Sequence, residues 1–184
     1  MINCLNKWKN KIRIKRCGIH KAEEKDIDFV IEQIVEGAKK RHFIEAILIP
    51  DEQNKYRNML LGLVNGYPAT SLSAKEVETK WGQLWMYGNN KDGNIGFFLI
   101  MEKYEGSGFD EIELLMASIK KESQGFGHGT NLINFFKTLC QKQTTLYARC
   151  YFASESMCKI LLRAGFVKTN TTPEGTRELE YKKI

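Results

Sequence analysis

Residues 113 to 136 read ELLMASIKKESQGFGHGTNLINFF. An apolar run comes first, then glycines at alternate positions (Gly125, Gly127 and Gly129), then apolar residues at helical spacing. This order predicts a strand, a loop and a helix over 129–141. The first amides of a helix lack intrahelical partners, and the helix dipole adds partial positive charge there. Glycines would let an anion approach that backbone closely, although a tight turn without a ligand has the same pattern.

Two common phosphate motifs do not fit this loop. A Walker loop requires a lysine and then Ser or Thr after its second glycine, and no lysine follows Gly129. A dinucleotide fingerprint counted from Gly125 requires a glycine where Thr130 stands, and the acidic residue about 20 positions on is missing. The pattern that remains is Gln124-x-x-Gly127-x-Gly129 at a strand-to-helix junction.

The rest of the chain predicts a mixed α/β order with an antiparallel meander in the middle. Asn89 to Gly93 reads as a hairpin turn, segment 43–50 is ambiguous between helix and strand, and 68–82 is hard to place. The predicted helices are 22–41, 51–65, 129–141 and 154–164. The predicted strands are 11–17, 82–88, 94–104, 109–119, 144–152, 165–169 and 177–183.

Length and composition favour one globular domain and permit an anionic partner. With 184 residues we expect a basic extension over 1–10 and a single domain over 11–184. The net charge of +6 suits nucleic acid, an anionic membrane or a phosphorylated cofactor. The basic run of residues 7–16, KWKNKIRIKR, is typical of a solvated edge strand, and a nucleic-acid arm is the less favoured alternative.

Cysteine and histidine usage gives no metal site. The five cysteines and three histidines form no zinc pattern, so we expect reduced thiols and no metal. No signal sequence or membrane span is evident, which favours a cytoplasmic protein without a membrane partner.

The glycine stretch and a second segment together resemble the GNAT superfamily of acyl-CoA-dependent N-acetyltransferases. Residues 113–136 look like its motif A, and SESMCKILLRAGF, residues 154–166, looks like its motif B. The resemblance implies a mixed α/β fold. Its central sheet would be mostly antiparallel, with about seven strands flanked by about four helices, and splayed at the acyl-CoA site.

The resemblance also implies acetyl-CoA as cosubstrate and assigns residues to it. Backbone groups at the end of the motif A strand would bind the pantetheine arm, loop amides would bind the pyrophosphate, and Ser154 would begin motif B. The matching positions are Ala117, Ser118 and Ile119 for the arm, and Gln124, Gly125, Phe126, Gly127, His128, Gly129 and Thr130 for the pyrophosphate. The side chain of His128 itself is interpreted as an exposed loop residue.

The implied reaction is direct transfer of the acetyl group to a primary amine in a ternary complex. Glu113 stands where one branch of the superfamily carries its catalytic base, and Glu111 on the same strand face is the alternative. Leu161 replaces the tyrosine that protonates the leaving thiolate in many members. Tyr147 and Tyr151 are the nearest phenols, and the general acid stays open. An acyl-CoA-binding module that has lost catalysis is therefore the second hypothesis, and a nucleic-acid-binding domain the third.

The acceptor site is expected from residues 40–85, the variable side of the family. A small amine, an amino sugar, a protein lysine and a peptide N-terminus all stay open, and a homodimer is compatible with the family. The candidate residues are His42, Phe43, Glu45, Trp81, Trp85 and Tyr87.

Overall fold

A seven-stranded sheet with helices on both faces is the frame of the molecule. The computed structural model describes residues 17–72, 77–89, 93–107, 110–139 and 143–182. The strands are β1 Gly18–Lys21, β2 Ala69–Leu72, β3 Val77–Lys80, β4 Gly82–Asn89, β5 Gly93–Glu102, β6 Glu111–Ile119, β7 Thr145–Cys150, β8 Val167–Thr171 and β9 Arg177–Lys182. The α-helices are α1 Ile27–Lys39, α2 Pro50–Val64, α3 His128–Leu139 and α4 Glu155–Arg163.

The main sheet has the order β1-β4-β5-β6-β7-β9-β8. Every neighbouring pair is antiparallel except β6 and β7, which run parallel and are connected through α3. Strands β2 and β3 form a separate antiparallel hairpin. The predicted fold class, a mixed and mostly antiparallel sheet with about four helices, is confirmed.

Two apolar cores lie on opposite faces of the sheet. Successive residues of a strand point to opposite faces, so Phe97 and Phe98 of β5, both fully buried, belong to different cores. Phe98 packs with the apolar stripes of α3 and α4, which include Leu132, Phe136 and Leu161. Phe97 packs with those of α1 and α2 on the other face. Both cores therefore fix β5 and β6 at the centre of the molecule.

Strands β6 and β7 lie side by side over only half of their length. Their register runs from Glu111↔Thr145 to Leu114↔Ala148 and stops there. Beyond that point β6 is paired with β5 alone, and β7 with β9 alone. The sheet is thus splayed at the end of the β6–β7 pair, as the resemblance implied.

A β-bulge in β6 lies directly at the point where the two strands part. Leu99 of β5 pairs with Met116 and Ile100 pairs with Leu114, so Leu115 has no register partner on either side. An extra residue of this kind bends its strand and increases the local twist. The bulge therefore turns the second half of β6 away from β7.

The predictions of secondary structure from the sequence failed mainly at Pro50 and over residues 68–82. Pro50, taken from the sequence as the end of a segment, is the first residue of α2, where its missing N–H costs nothing. The ambiguous segment 43–50 contains a single 3₁₀ turn, Glu45–Leu48, and the region 68–82 holds the β2–β3 hairpin.

Three predictions concern residues that the structure does not describe. They are the basic run of residues 7–16, the extension over 1–10 and the strand 11–17, of which only Cys17 is described. In the described part of the chain, no helix combines the length and apolarity needed to cross a membrane.

Candidate functional site

A cleft of about 630 Å³ opens where β6 and β7 part. Its walls come from the second half of β6, the glycine loop, the end of β7, α4 and the segment that follows α1. The lining residues are Gly37, His42, Phe43, 114–119, Gln124, Gly125, Gly127, Gly129, Thr130, 148–151, Ser154, Ser156, Met157, Lys159, Ile160, Leu161 and Arg163. The structure thus brings together the predicted arm-binding strand, most of the predicted pyrophosphate loop and part of the predicted acceptor site.

The glycine loop presents bare amides to this cleft. Gly125 and Gly127 have φ values of +79° and +89°, a conformation that glycine adopts without strain. The amides of Gly125, Phe126, Gly127, Gly129 and Thr130 donate to no backbone carbonyl in the described ranges. The first amide of α3 with a helical partner is that of Asn131, which donates to Gly127. The loop and helix start can therefore bind an anion.

Gln124 and Gly129, the outer residues of the motif, have structural reasons to be where they are. The Gln124 amide Nε2 donates to the carbonyl of Ile119 at 2.7 Å and so holds the loop against the end of β6. A Cβ on Gly129 would lie 2.9 Å from Cδ1 of Ile160 on α4. Glycine at this position therefore lets α3 and α4 approach each other at the cleft.

His128 points away from the cleft, and its predicted exposure was wrong. The side chain is only 7% exposed, and its Nδ1 lies 3.0 Å from the hydroxyl of Tyr87, itself fully buried on β4. The two rings meet edge to face at 5.7 Å. Burial raises the pKa of Tyr87, which keeps the phenol protonated. The pair ties the first residue of α3 to the central sheet.

The charged side chains of the cleft wall are basic. Arg149, Lys159 and Arg163 line it, and no Asp or Glu is among the described lining residues. Lys159 is paired with Glu155 on the exposed side of α4 at 2.8 Å. The positive wall of α4 and the loop amides therefore favour the same kind of ligand, an extended anion.

Across the cleft, one hydrogen bond joins the segment after α1 to the start of α4. His42 Nδ1 lies 3.2 Å from Ser154 Oγ, and both residues line the cleft. Burial, and to a lesser extent Lys40, lowers the pKa of His42 below its usual value of 6.5. The imidazole is therefore neutral at pH 7. Phe43, the next residue, lies with its ring against Gly37, where a Cβ would overlap it.

The two predicted base candidates lie beside the cleft, not in its wall. Glu113 is 7% exposed; its Oε1 accepts from Arg149 Nε at 2.5 Å, and its Oε2 is 3.8 Å from Lys103 Nζ. Glu111 accepts from the hydroxyl of Tyr147 at 2.9 Å. Burial and this hydrogen bond raise the pKa of Tyr147 to about 12. Glu113 reaches the cleft only through Arg149, which does line it.

Comparison with solved structures shows which known proteins share this fold. An N-acetyltransferase PaiA of Thermoplasma acidophilum in complex with coenzyme A superposes with a TM-score of 0.66 at 15% identity, covering 91% of this chain and 99% of that one. A spermidine N-acetyltransferase of Vibrio cholerae with CoA and spermine gives 0.64 at 14% identity, over 91% and 95% of the two chains. RimL, a ribosomal L7/L12 alpha-N-protein acetyltransferase, gives 0.64 at 8% identity, over 91% and 94%. The chain has the GNAT fold.

At the level of sequence there is no such likeness: no family model and no curated protein matches. The GNAT fold is therefore established by the arrangement of the elements, which also confirms the motif resemblance at that level. Leu161, at the motif B position of the family tyrosine, is fully buried and lines the cleft with an alkyl side chain.

The remaining site residues predicted from the sequence do not line the cleft. Trp85 stacks on Phe98 with ring centroids 6.3 Å apart, and Trp81 is half exposed with its amide bound to Glu102. The exposed side chain of Phe126 does not line the cleft, and neither does that of Glu45, which pairs with Arg41. Sequence reasoning missed Met157 and Ile160 as cleft residues, because apolar residues at helical spacing are usually part of a core. No metal-binding group of His, Cys, Asp or Glu occurs among the residues the structure describes.

The Tyr87–His128 pair gives a test of how the loop is held. Tyr87→Phe removes one buried hydroxyl and keeps the ring, so we expect a loss of about 1 kcal/mol in the free energy of unfolding. Because the bond ends on the first residue of α3, we also expect weaker binding of CoA, measured by calorimetry. Tyr67→Phe, on an exposed ring outside the cleft, is the control. Equal behaviour of the two variants would contradict a role for the pair in holding the loop.

Proposed function

We propose that this chain is an N-acetyltransferase that transfers the acetyl group of acetyl-CoA to a primary amine. The observation that carries the proposal is that β6 parts from β7 and that, at one end of the gap, the glycine loop has amides that donate to no backbone carbonyl among the described residues. An elongated ligand with a pyrophosphate in its middle and an amide-bearing arm fits this combination. Leu161, which motivates the non-catalytic alternative, is equally compatible with catalysis in which the thiolate leaves unassisted. A homodimer and a cytoplasmic location stay predictions.

Two parts of the cleft would hold the acetyl-CoA. The amides from Gly125 to Thr130 and the start of α3 would bind the pyrophosphate, aided by Lys159 and Arg163 on α4. The edge of β6 from Leu115 to Ile119 has no partner on its β7 side, so its backbone can pair with the amide groups of the arm. This is a β-strand-like contact that depends on backbone and not on side chains.

Binding both substrates in one cleft removes much of the entropic barrier to acyl transfer. The amine nitrogen attacks the thioester carbonyl, the C–N bond forms and the C–S bond breaks. A backbone N–H of β6 where its pairing with β7 ends, such as that of the bulge residue Leu115, is suited to stabilise the carbonyl oxygen as it becomes negative. A thiol with a pKa near that of cysteine, about 8.5, leaves without a protein acid, which is consistent with Leu161 in place of tyrosine.

His42 is better placed than Glu113 to take the proton of the amine. It lies in the cleft wall, it is neutral at pH 7, and Nδ1 bonded to Ser154 leaves Nε2 for the amine when the proton is on Nδ1. Glu113 is engaged by Arg149 and Lys103, so we assign it a positioning role for Arg149. Ser154, expected to contact the cosubstrate, would then also orient the base.

Calorimetric titration of acetyl-CoA into the wild type and two glycine variants tests the proposal. Gly125 and Gly66 have nearly the same φ, +79° and +81°, and a Cβ would meet nothing within 4 Å at either position. Changing either to Glu therefore causes the same strain and adds the same charge, but only Gly125 lines the cleft. We expect Gly125→Glu to weaken binding roughly a hundredfold or more through repulsion of the pyrophosphate, and Gly66→Glu to bind like the wild type. No binding by the wild type, or equal affinity of both variants, would overturn the proposal.

The protonation state of His42 is a separate prediction. Its imidazole should titrate with a midpoint below 6.5, because burial and Lys40 both disfavour the charged ring. A lowered pKa in the folded state also makes the protein lose stability as pH falls below 6.5, since the unfolded chain binds the proton first. Proton NMR of the imidazole measures the midpoint, and the spectrum of His42→Gln assigns the signal. A midpoint at or above 6.5 would argue against His42 as the base.

A further inference from the structure

Among the cleft residues that the structure describes, there is no carboxylate to pair with a second positive charge on an acceptor. Among the described lining residues the ionisable groups that carry charge at pH 7 are Arg149, Lys159 and Arg163, all of them cationic. His42 is neutral, and Lys40 lies on the same segment. A second ammonium group on the acceptor would be repelled by these cationic side chains. It would also lose its hydration in the cleft without gaining a carboxylate as an ion-pair partner.

The nearest carboxylates are already committed to other groups. Glu113 is paired with Arg149 and Lys103, Glu155 is paired with Lys159, and Glu111 accepts from Tyr147. Recruiting Glu113 for a polyamine would break its ion pair with the half-exposed guanidinium of Arg149. These three glutamates therefore do not make the cleft a polycation site.

The acceptor side of the cleft has aromatic side chains instead. We call Phe43 and Tyr151 the aromatic rim; they come from the segment after α1 and from the residue after β7. Both side chains line the cleft, and Tyr151 is 41% exposed.

The aromatic rim lies beside the proposed base. Phe43 follows His42 in the chain, and the amide of Ser154 donates to the carbonyl of Tyr151 at 2.8 Å. The His42–Ser154 bond thus connects the two segments that carry Phe43 and Tyr151. An aromatic body held by the rim would have its amine near His42 and near the point where β6 and β7 part.

We propose that the acceptor is a primary amine on an aromatic or other apolar body, with the reacting nitrogen as its only cationic group. The inference rests on the proposed function and narrows its substrate class. The amine reacts in its neutral form, after its ammonium proton has gone to solvent. In the balanced step its nitrogen lone pair forms the C–N bond, the C–S pair leaves with the CoA thiolate, and the nitrogen gives one proton to His42. The products are the acetylated amine and CoA, once the thiolate has regained a proton.

A pair of amines tests the class directly. The wild type is incubated with acetyl-CoA and either 2-phenylethylamine or spermidine, and the acetylated amine is quantified by mass spectrometry to give kcat/KM. We expect 2-phenylethylamine to be preferred roughly tenfold or more, the usual value of an apolar pocket contact. Acetyl-CoA binding is measured by calorimetry on the same preparation.

Variants at Tyr151 give the matched controls. Tyr151→Ala should lower kcat/KM for 2-phenylethylamine about tenfold, because it removes one ring of the rim. Tyr151→Glu adds a carboxylate to the cleft and should shift the preference towards spermidine. Tyr67→Ala and Tyr67→Glu, at an exposed ring outside the cleft, should leave both amines unchanged.

The outcomes separate the two proposals. Failure of acetyl-CoA to bind overturns the proposed function and the acceptor class with it. Binding of acetyl-CoA with a preference for spermidine, or with turnover of neither amine, overturns the acceptor class alone. Preference for 2-phenylethylamine that is unchanged in Tyr151→Ala and Tyr151→Glu overturns the role of the aromatic rim.

Discussion

The parting of β6 from β7 is the constraint on which the rest of the molecule depends. Parallel strands joined through a helix would ordinarily stay paired along their length, since each unpaired amide and carbonyl needs another partner. Here the pairing stops at Leu114 and Ala148, and the bulge at Leu115 bends β6 away. The two cores hold the strands on both faces, so the gap persists as a cleft and does not close. The function of the protein therefore depends on which ligand binds in the gap between β6 and β7.

The chemistry of the cleft changes from one end to the other. At one end, glycines with positive φ expose amides at the start of α3, and basic residues of α4 add to their field. At the other end, His42 and Ser154 bridge two residues 112 positions apart, beside the aromatic side chains of Phe43 and Tyr151. An anion-binding end and an apolar end with a neutral base suit a phosphorylated acyl donor and an uncharged nucleophile. The buried Tyr87–His128 bond connects the anion-binding end to the sheet.

Local sequence patterns predicted the part of the site that is made locally. The strand, the glycines and the helix of residues 113–136 are contiguous, so periodicity was enough to predict these elements, and the family resemblance of the same stretch implied the fold class. Pairings between distant residues were not predictable in this way. Glu113 meets Arg149, His128 meets Tyr87 and His42 meets Ser154 only because the tertiary fold brings together residues 36, 41 and 112 positions apart. The one-residue bulge at Leu115 was equally unpredictable, because nothing in the sequence around it distinguishes it from a regular strand.

A crystal structure of the chain with CoA tests the central claim most directly. The account predicts the pyrophosphate oxygens within hydrogen-bonding distance of the amides between Gly125 and Thr130. It also predicts the pantetheine arm beside residues 115–119 of β6, filling the gap to β7 with no rearrangement of the sheet. CoA bound outside the cleft, or β6 and β7 paired along their full length in the complex, would contradict the account.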